Sequence, residues 1–328
     1  MNARKRIQPP PRNSPRIGIA LGSGGARGWA HLGVLRRLDA FGVRPVCVAG
    51  TSIGAIVAAL YACNALDTTE ALAARLDWKQ LAQLFFEVTF PRSGLITGKN
   101  FMRLLKDIIP ARNIADLPFP YAAVATNLHT EKEVVLSSGN LFDAIRASIG
   151  IPGIFTPTRL NGQTLVDGGL VNPLPVSVCR ALGAEIVIAV DVNLRTPPLR
   201  PRRTPRKPAD APNPHVDALI ASISRLMPDA LQTPMSELAH RWTAPRKHNA
   251  DPLSIFDVLT HTMRLVENQI TRHELALHPP DILIQPEVGN LLTLEFHRGL
   301  EGIAAGVRAA DEQRSHIEAL LNPRPAPS

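Results

Sequence analysis

An α/β fold around a largely parallel sheet is what this sequence predicts. Two short apolar runs, 16–21 and 46–49, flank a segment with helical apolar spacing, and each run ends in a glycine-bearing turn that opens into a helix. Two strands joined through a helix imply a right-handed crossover and therefore parallel neighbours.

Taken in order, Arg16 to Leu21 reads as a buried strand that runs into Gly22-Ser23-Gly24-Gly25-Ala26-Arg27-Gly28. Val34, Leu35, Leu38 and Phe41 then recur at helical spacing, with Gly42 as the stop. The second strand, Val46 to Ala49, leads through Gly50-Thr51-Ser52-Ile53-Gly54 into a helix that is apolar on all sides. From Thr68 to Pro110 the pattern is helical: Leu81, Leu84 and Phe85 form one stripe, and Phe101, Leu104, Leu105 and Ile108 another. Those helices are expected to line or cover a pocket. Tyr121 to Thr126 and Glu133 to Leu136 alternate as strands, and Leu141 to Ile149 returns to helix before Pro152. Asn161-Gly162 between Thr158–Leu160 and Gln163–Val166 predicts a hairpin that delivers Asp167-Gly168-Gly169.

Glu185 to Val192 is a further buried strand, whereas 195–215 holds seven prolines and cannot form a regular element. Beyond it, Ile255, Leu259, Met263, Val266 and Ile270 share one helix face. Ile282 to Ile284 reads as a strand, and Phe296, Leu300, Ile303 and Val307 mark a closing helix. The expected organisation is a disordered basic tail (1–15) and one α/β domain (16–322). Within that domain lie a motif-bearing core (16–193), a Pro-rich basic insertion (195–250) and a C-terminal helix–strand–helix extension (251–322).

At 328 residues and 45% hydrophobic content, with mean hydropathy +0.02, the chain is expected to fold as a soluble globule. No apolar run approaches the roughly 18 residues that span a bilayer. Pro9, Pro10, Pro11 and Pro15 break any signal-peptide core. Cys47, Cys63 and Cys179 are odd in number and sit in apolar segments, which suggests buried thiols in a reducing, cytoplasmic compartment. The net charge of +8 is uneven: residues 1–16 carry +5, residues 195–215 carry +5, and the rest of the chain is left at −2. A folded body without excess positive charge argues against a nucleic-acid partner. The basic flanks suit peripheral contact with anionic lipid at the inner membrane face, at about 1 kcal/mol per charge; a solvated linker is the alternative.

Ser52 can be read as an N-cap for the helix after it, or as a nucleophile exposed on a tight strand-to-helix turn. A serine that attacks an ester needs donors for the developing oxyanion. Gly24, Gly25 and the amides just after them, Ala26 and Arg27, are the candidates. Loops at the carboxyl ends of neighbouring parallel strands share one crevice, which brings the glycine loop and Ser52 together. A dinucleotide site does not fit, because the spacing is G-x-G-x-x-x-G and the second strand ends without an acidic residue. A P-loop lacks its Gly-Lys-Ser/Thr. Asp167 is a candidate base, and His240, His261 and His273 follow it in the order of a Ser-Asp-His triad; His31 lies inside the first helix.

Gly22 to Gly28, Gly50-Thr51-Ser52-Ile53-Gly54 and Asp167-Gly168-Gly169, in this order, resemble the three signatures of the patatin-like phospholipase family. The stretches 144–155 and Val171-Asn172-Pro173-Leu174-Pro175 resemble its bacterial branch related to neuropathy target esterase. The resemblance implies a patatin-like three-layer α/β/α fold. It also implies a Ser52–Asp167 dyad without histidine, glycine-loop amides as oxyanion hole, and acyl esters of phospholipids or lysophospholipids as substrates. No metal or cofactor is implied. Ser23 stands where many relatives have glycine. A Ser-Asp-His carboxylesterase and a non-catalytic lipid-binding regulatory protein are the alternatives.

Overall fold

The computed structural model describes residues 15–77, 80–81, 96–193, 255–289 and 291–321. The expected basic tail, the Pro-rich insertion, Leu84, Phe85 and His240 lie outside them. Two compact units divide the chain, 1–197 with 259–328, and 198–258; the sheet and the site belong to the first.

Apolar residues buried on both faces place the strand β1 (Ile17–Leu21) at the middle of the sheet. It pairs in parallel with β2 (Cys47–Thr51) and with β7 (Ile186–Val190). The parallel set extends to β3 (Tyr121–Asn127) on one side and β8 (Ile282–Ile284) on the other. Beyond β3 the pairing turns antiparallel, through β4 (Glu133–Leu136) and the hairpin of β5 (Thr158–Leu160) with β6 (Gln163–Asp167). The strand order is β5-β6-β3-β2-β1-β7-β8, with β4 attached to β3. The parallel core is the one predicted.

Alternation along the strands separates two cores of different grain. Ile17, Ile19, Leu21, Val48, Ile188 and Val190 face one side, where α1 (Trp29–Ala40), α2 (Ile53–Ala62), α5 (Leu141–Ser148) and α8 (Gly299–Glu312) contribute the apolar layer. Ala20, Ala49, Ala122, Val187 and Ala189 face the other, against α6 (Val176–Ala181) and Leu275. Small residues on that second face let helices lie close to the backbone. Helices on both faces make this a three-layer α/β/α fold.

Two helices differ from their sequence pattern. The long helix that ends the second layer, Ile255–Leu277, was expected to turn its apolar stripe inward, yet Val266 is exposed while Arg264, Glu267 and Thr271 are buried. Hydrogen-bonding partners in the interior, described below, account for the inversion. In α8, Leu300 points outward, and the contact with α1 is made by glycine and alanine. A Cβ added at Gly33 would sit 2.0 Å from the Ile303 carbonyl, and one at Gly306 would sit 2.0 Å from the Ala30 carbonyl. Backbones that close leave no room for a side chain at those two positions, while Ile303 is buried as the periodicity suggested. Among the described residues, no helix is long and apolar enough to cross a membrane. Cys47 and Cys179 are buried thiols and Cys63 is half-buried.

Candidate active site

Ser52 occupies the turn between β2 and α2 with φ 57° and ψ −122°, a left-handed conformation that costs a non-glycine residue about 1–3 kcal/mol. Gly50 and Gly54 make that turn possible: a Cβ at Gly50 would fall 2.3 Å from the Gly54 carbonyl carbon, and one at Gly54 2.1 Å from the Leu21 carbonyl oxygen. The turn is held from outside by Ser148, whose Oγ accepts the Ser52 N–H at 2.9 Å and donates to the Val124 carbonyl at 2.6 Å. The capping reading of Ser52 is not observed, since its side chain makes no cap hydrogen bond. Instead, Ser52 Oγ donates to Asp167 Oδ2 at 2.6 Å.

Asp167 closes β6, where Thr126 Oγ1 donates to its carbonyl at 2.7 Å. Its Oδ1 accepts the Gly169 N–H at 2.8 Å. Gly168 is required because a Cβ there would lie 2.3 Å from the Val124 carbonyl. Burial pushes the Asp167 carboxyl up to about 7, reinforced by the negative charge of Glu267 and opposed by the hydrogen bonds from Ser52 and Gly169.

The glycine loop leaves β1 as a short 3-10 turn, Gly25–Gly28, ahead of α1. Gly22 N–H donates to Val190 O at 3.0 Å, and Ser23 N–H to Pro173 O at 2.9 Å. Of the four expected oxyanion donors, two are engaged elsewhere. Ala26 N–H donates to Thr293 O at 2.8 Å and Arg27 N–H turns back to Gly24 O at 3.3 Å, because the loop tightens into a 3-10 turn against the 291–295 segment. The Gly24 and Gly25 amides have no acceptor among the described residues, and both glycines line a small cleft of about 20 Å³ with Ser52, Asp167 and Glu267.

The Arg27 side chain is buried, with Nε and Nη2 on Asn193 Oδ1 at 3.1 and 2.9 Å and Nη1 on Leu291 O at 3.3 Å. Burial lowers its guanidinium to about 10. No histidine among the described residues contacts Asp167. His31 is fully buried, with Nε2 at 2.9 Å from Gly22 O and burial pushing it down to about 4; His261 faces Arg264, and His273 is exposed. Among the described residues there is no group of three or more His, Cys, Asp or Glu side chains that could hold a metal ion.

A second, apolar cleft of about 60 Å³ is lined by Gly28, Ile53, Leu60, Leu81, Phe101 and Leu105 among others. The two helical stripes of the 68–110 segment do line a pocket, as far as they are described. Ile53, the residue after Ser52, contributes to its lining.

The patatin-like phospholipase family model matches residues 19–180, a span that holds all three loops. An uncharacterized NTE family protein of Mycobacterium tuberculosis is 32% identical over 345 residues, 93% of each chain. The chain belongs to the patatin-like phospholipase family, in its NTE-related branch. That family is one of lipid hydrolases. Patatin-like phospholipase domain-containing protein 7 of Mus musculus is 35% identical to this family member over 185 residues, 55% of the chain but 14% of the mouse protein. Among solved structures, VipD from Legionella pneumophila matches with a TM-score of 0.43 and 13% identity, covering 93% of this chain and 67% of that one. Asn193, Glu267 and Thr293 all lie beyond the matched span of this patatin-like chain, and sequence reasoning missed each of them, as it did Ser148 and Thr126. Only Ser148 stood within a stretch already singled out.

Proposed function

We propose that this protein is a serine hydrolase that cleaves acyl ester bonds of phospholipids or lysophospholipids through Ser52 and Asp167. The observation that carries the reading is the 2.6 Å hydrogen bond from Ser52 Oγ to Asp167 Oδ2, in a cleft whose Gly24 and Gly25 amides are open to an incoming oxygen. Asp167 removes the hydroxyl proton as Oγ attacks the acyl carbonyl, and the oxyanion is met by the glycine amides. Collapse of the tetrahedral species expels the alcohol, which takes the proton from Asp167. Water, deprotonated by the same carboxylate, then releases the fatty acid. The apolar cleft lined in part by Ile53 suits the acyl chain.

Incubation with a fluorophosphonate probe tests this reading: covalent label on Ser52, together with fatty acid released from lysophospholipid by mass spectrometry, is the expected result. No label and no release across ester substrates would favour a lipid-binding protein instead. A carboxyl that titrates near 7 is an adequate base only when ionised, so kcat/KM should rise with pH and level off above about 7. A profile flat between pH 5 and 8 would exclude Asp167 as the base. Peripheral membrane contact belongs to the same reading; deleting 195–215 is expected to weaken co-sedimentation with anionic vesicles, and undiminished binding would remove that segment from the account.

A further inference from the structure

Glu267 is a buried carboxylate lining the cleft that the proposed mechanism leaves without a task. It projects from the inward face of helix α7 (Ile255–Leu277), which follows α3 (Leu66–Ala73), α4 (Lys99–Ile108), α5 and α6 in the chain. Its Oε2 accepts from Ser23 Oγ at 3.0 Å and from Asn193 Nδ2 at 3.0 Å. Asn193 Nδ2 also reaches Ser23 O at 3.1 Å, while its Oδ1 receives Arg27. The glycine loop is therefore tied to α7 through Arg27, by way of Asn193, and directly through Ser23. A relative with glycine at that position would lack the hydroxyl.

The other carboxylate oxygen, Oε1, lies against Gly169. A Cβ placed on Gly169 would stand 2.5 Å from Glu267 Oε1 and 3.1 Å from Asp167 Oδ1, so the two carboxylates meet across a bare Cα. We propose that Glu267 is a positioning residue for Ser52 and Asp167, clamping the glycine loop through Ser23 and Asn193 while setting its charge beside Asp167. This rests on the hydrolase reading above.

The charge has a direction of effect. Glu267 is the second cause, after burial, that raises Asp167, and Asp167 must bind and release a proton in each turnover. The other charged groups at the cleft are Arg27 on the glycine loop, Arg264 and His261 on α7, and Asp191 after β7. Burial raises the Glu267 carboxyl itself, opposed by the hydrogen bond from Ser23, the Arg27 charge and the hydrogen bond from Asn193, and reinforced by Asp191.

The experiment compares the full-length protein with Glu267→Gln, Glu267→Asp and Asp167→Asn, scoring kcat/KM against pH on a soluble ester and thermal unfolding. E267Q keeps an acceptor for Ser23 and removes the charge, so the acid limb should move down by about one pH unit. A limb that overlays the wild type would overturn the proposal. E267D retains the charge but is one methylene short of reaching both Ser23 and Gly169. Its kcat should fall about tenfold or more; wild-type kcat with an unmoved limb in E267D alone would also overturn it, whether or not E267Q folds. D167N separates the two ideas: an active D167N sinks the hydrolase mechanism, whereas a dead D167N with an unaltered E267Q profile sinks only the role of Glu267.

Discussion

Asp167→Asn should abolish ester hydrolysis and, at the same time, make the protein more stable at pH 8. The amide keeps the shape of the carboxylate and can still face Ser52 and the Gly169 N–H, but it cannot take the serine proton, so kcat should fall by about 10⁴-fold. Ser52→Ala, which removes the nucleophile, should be equally inactive. The stability gain follows from the sign of the shift. Below about pH 4 the Asp167 carboxyl is protonated in both folded and unfolded chains. Between that value and about 7 the unfolded chain ionises while the buried group does not, so stability declines as pH rises. Three pH units correspond to about 4 kcal/mol, of which about half should be recovered in the amide at pH 8, read as a higher urea midpoint. At pH 4 the two proteins should unfold alike. A D167N protein that is less stable than wild type at pH 8 would mean the buried carboxylate is not a burden on the fold.

Gly54→Ala should damage both fold and rate. The added methyl would sit 2.1 Å from the Leu21 carbonyl and 2.8 Å from that of Gly22. Leu21 belongs to the central strand, paired on both sides, and cannot yield. The turn must move instead, at a cost of about 3 kcal/mol, which for a chain of this size lowers Tm by roughly 5 °C. A displacement of about 1 Å at Ser52 also costs on the order of 10²-fold in rate. Thermal unfolding and initial rates at a temperature where the variant is folded separate the two effects. A G54A enzyme with wild-type Tm and turnover would show that Ser52 is not held by this close approach.

The strands and the three loops were legible because each is a local pattern: β-branched runs, glycines where backbones nearly touch, and a hairpin dipeptide that ends at Asp167. Partners supplied from elsewhere were not. Glu267 reads as the polar side of an amphipathic helix, and only the hydroxyl of Ser23 and the amide of Asn193 make its burial tolerable. Val266, by the same periodicity a core residue, is exposed. Four glycine-loop amides were equivalent on the page of letters; Thr293, some 270 positions downstream, separates Ala26 from Gly24 and Gly25. Histidine order along the chain suggested a triad, yet His31 spends its nearer nitrogen on Gly22, and His261 on Arg264.

Thr293 and Glu267 give the cleft its last wall, and a ribosome delivers them late. Ser52 and Asp167 leave the exit tunnel while that wall is still unsynthesised, when Gly25 has no Thr293 carbonyl beside it and Ser23 no carboxylate to hold. Domains take shape as units during synthesis, and this one cannot finish until α8 emerges and docks on α1. The cleft of the proposed hydrolase is therefore complete only once the segments bearing Glu267 and Thr293 have been made.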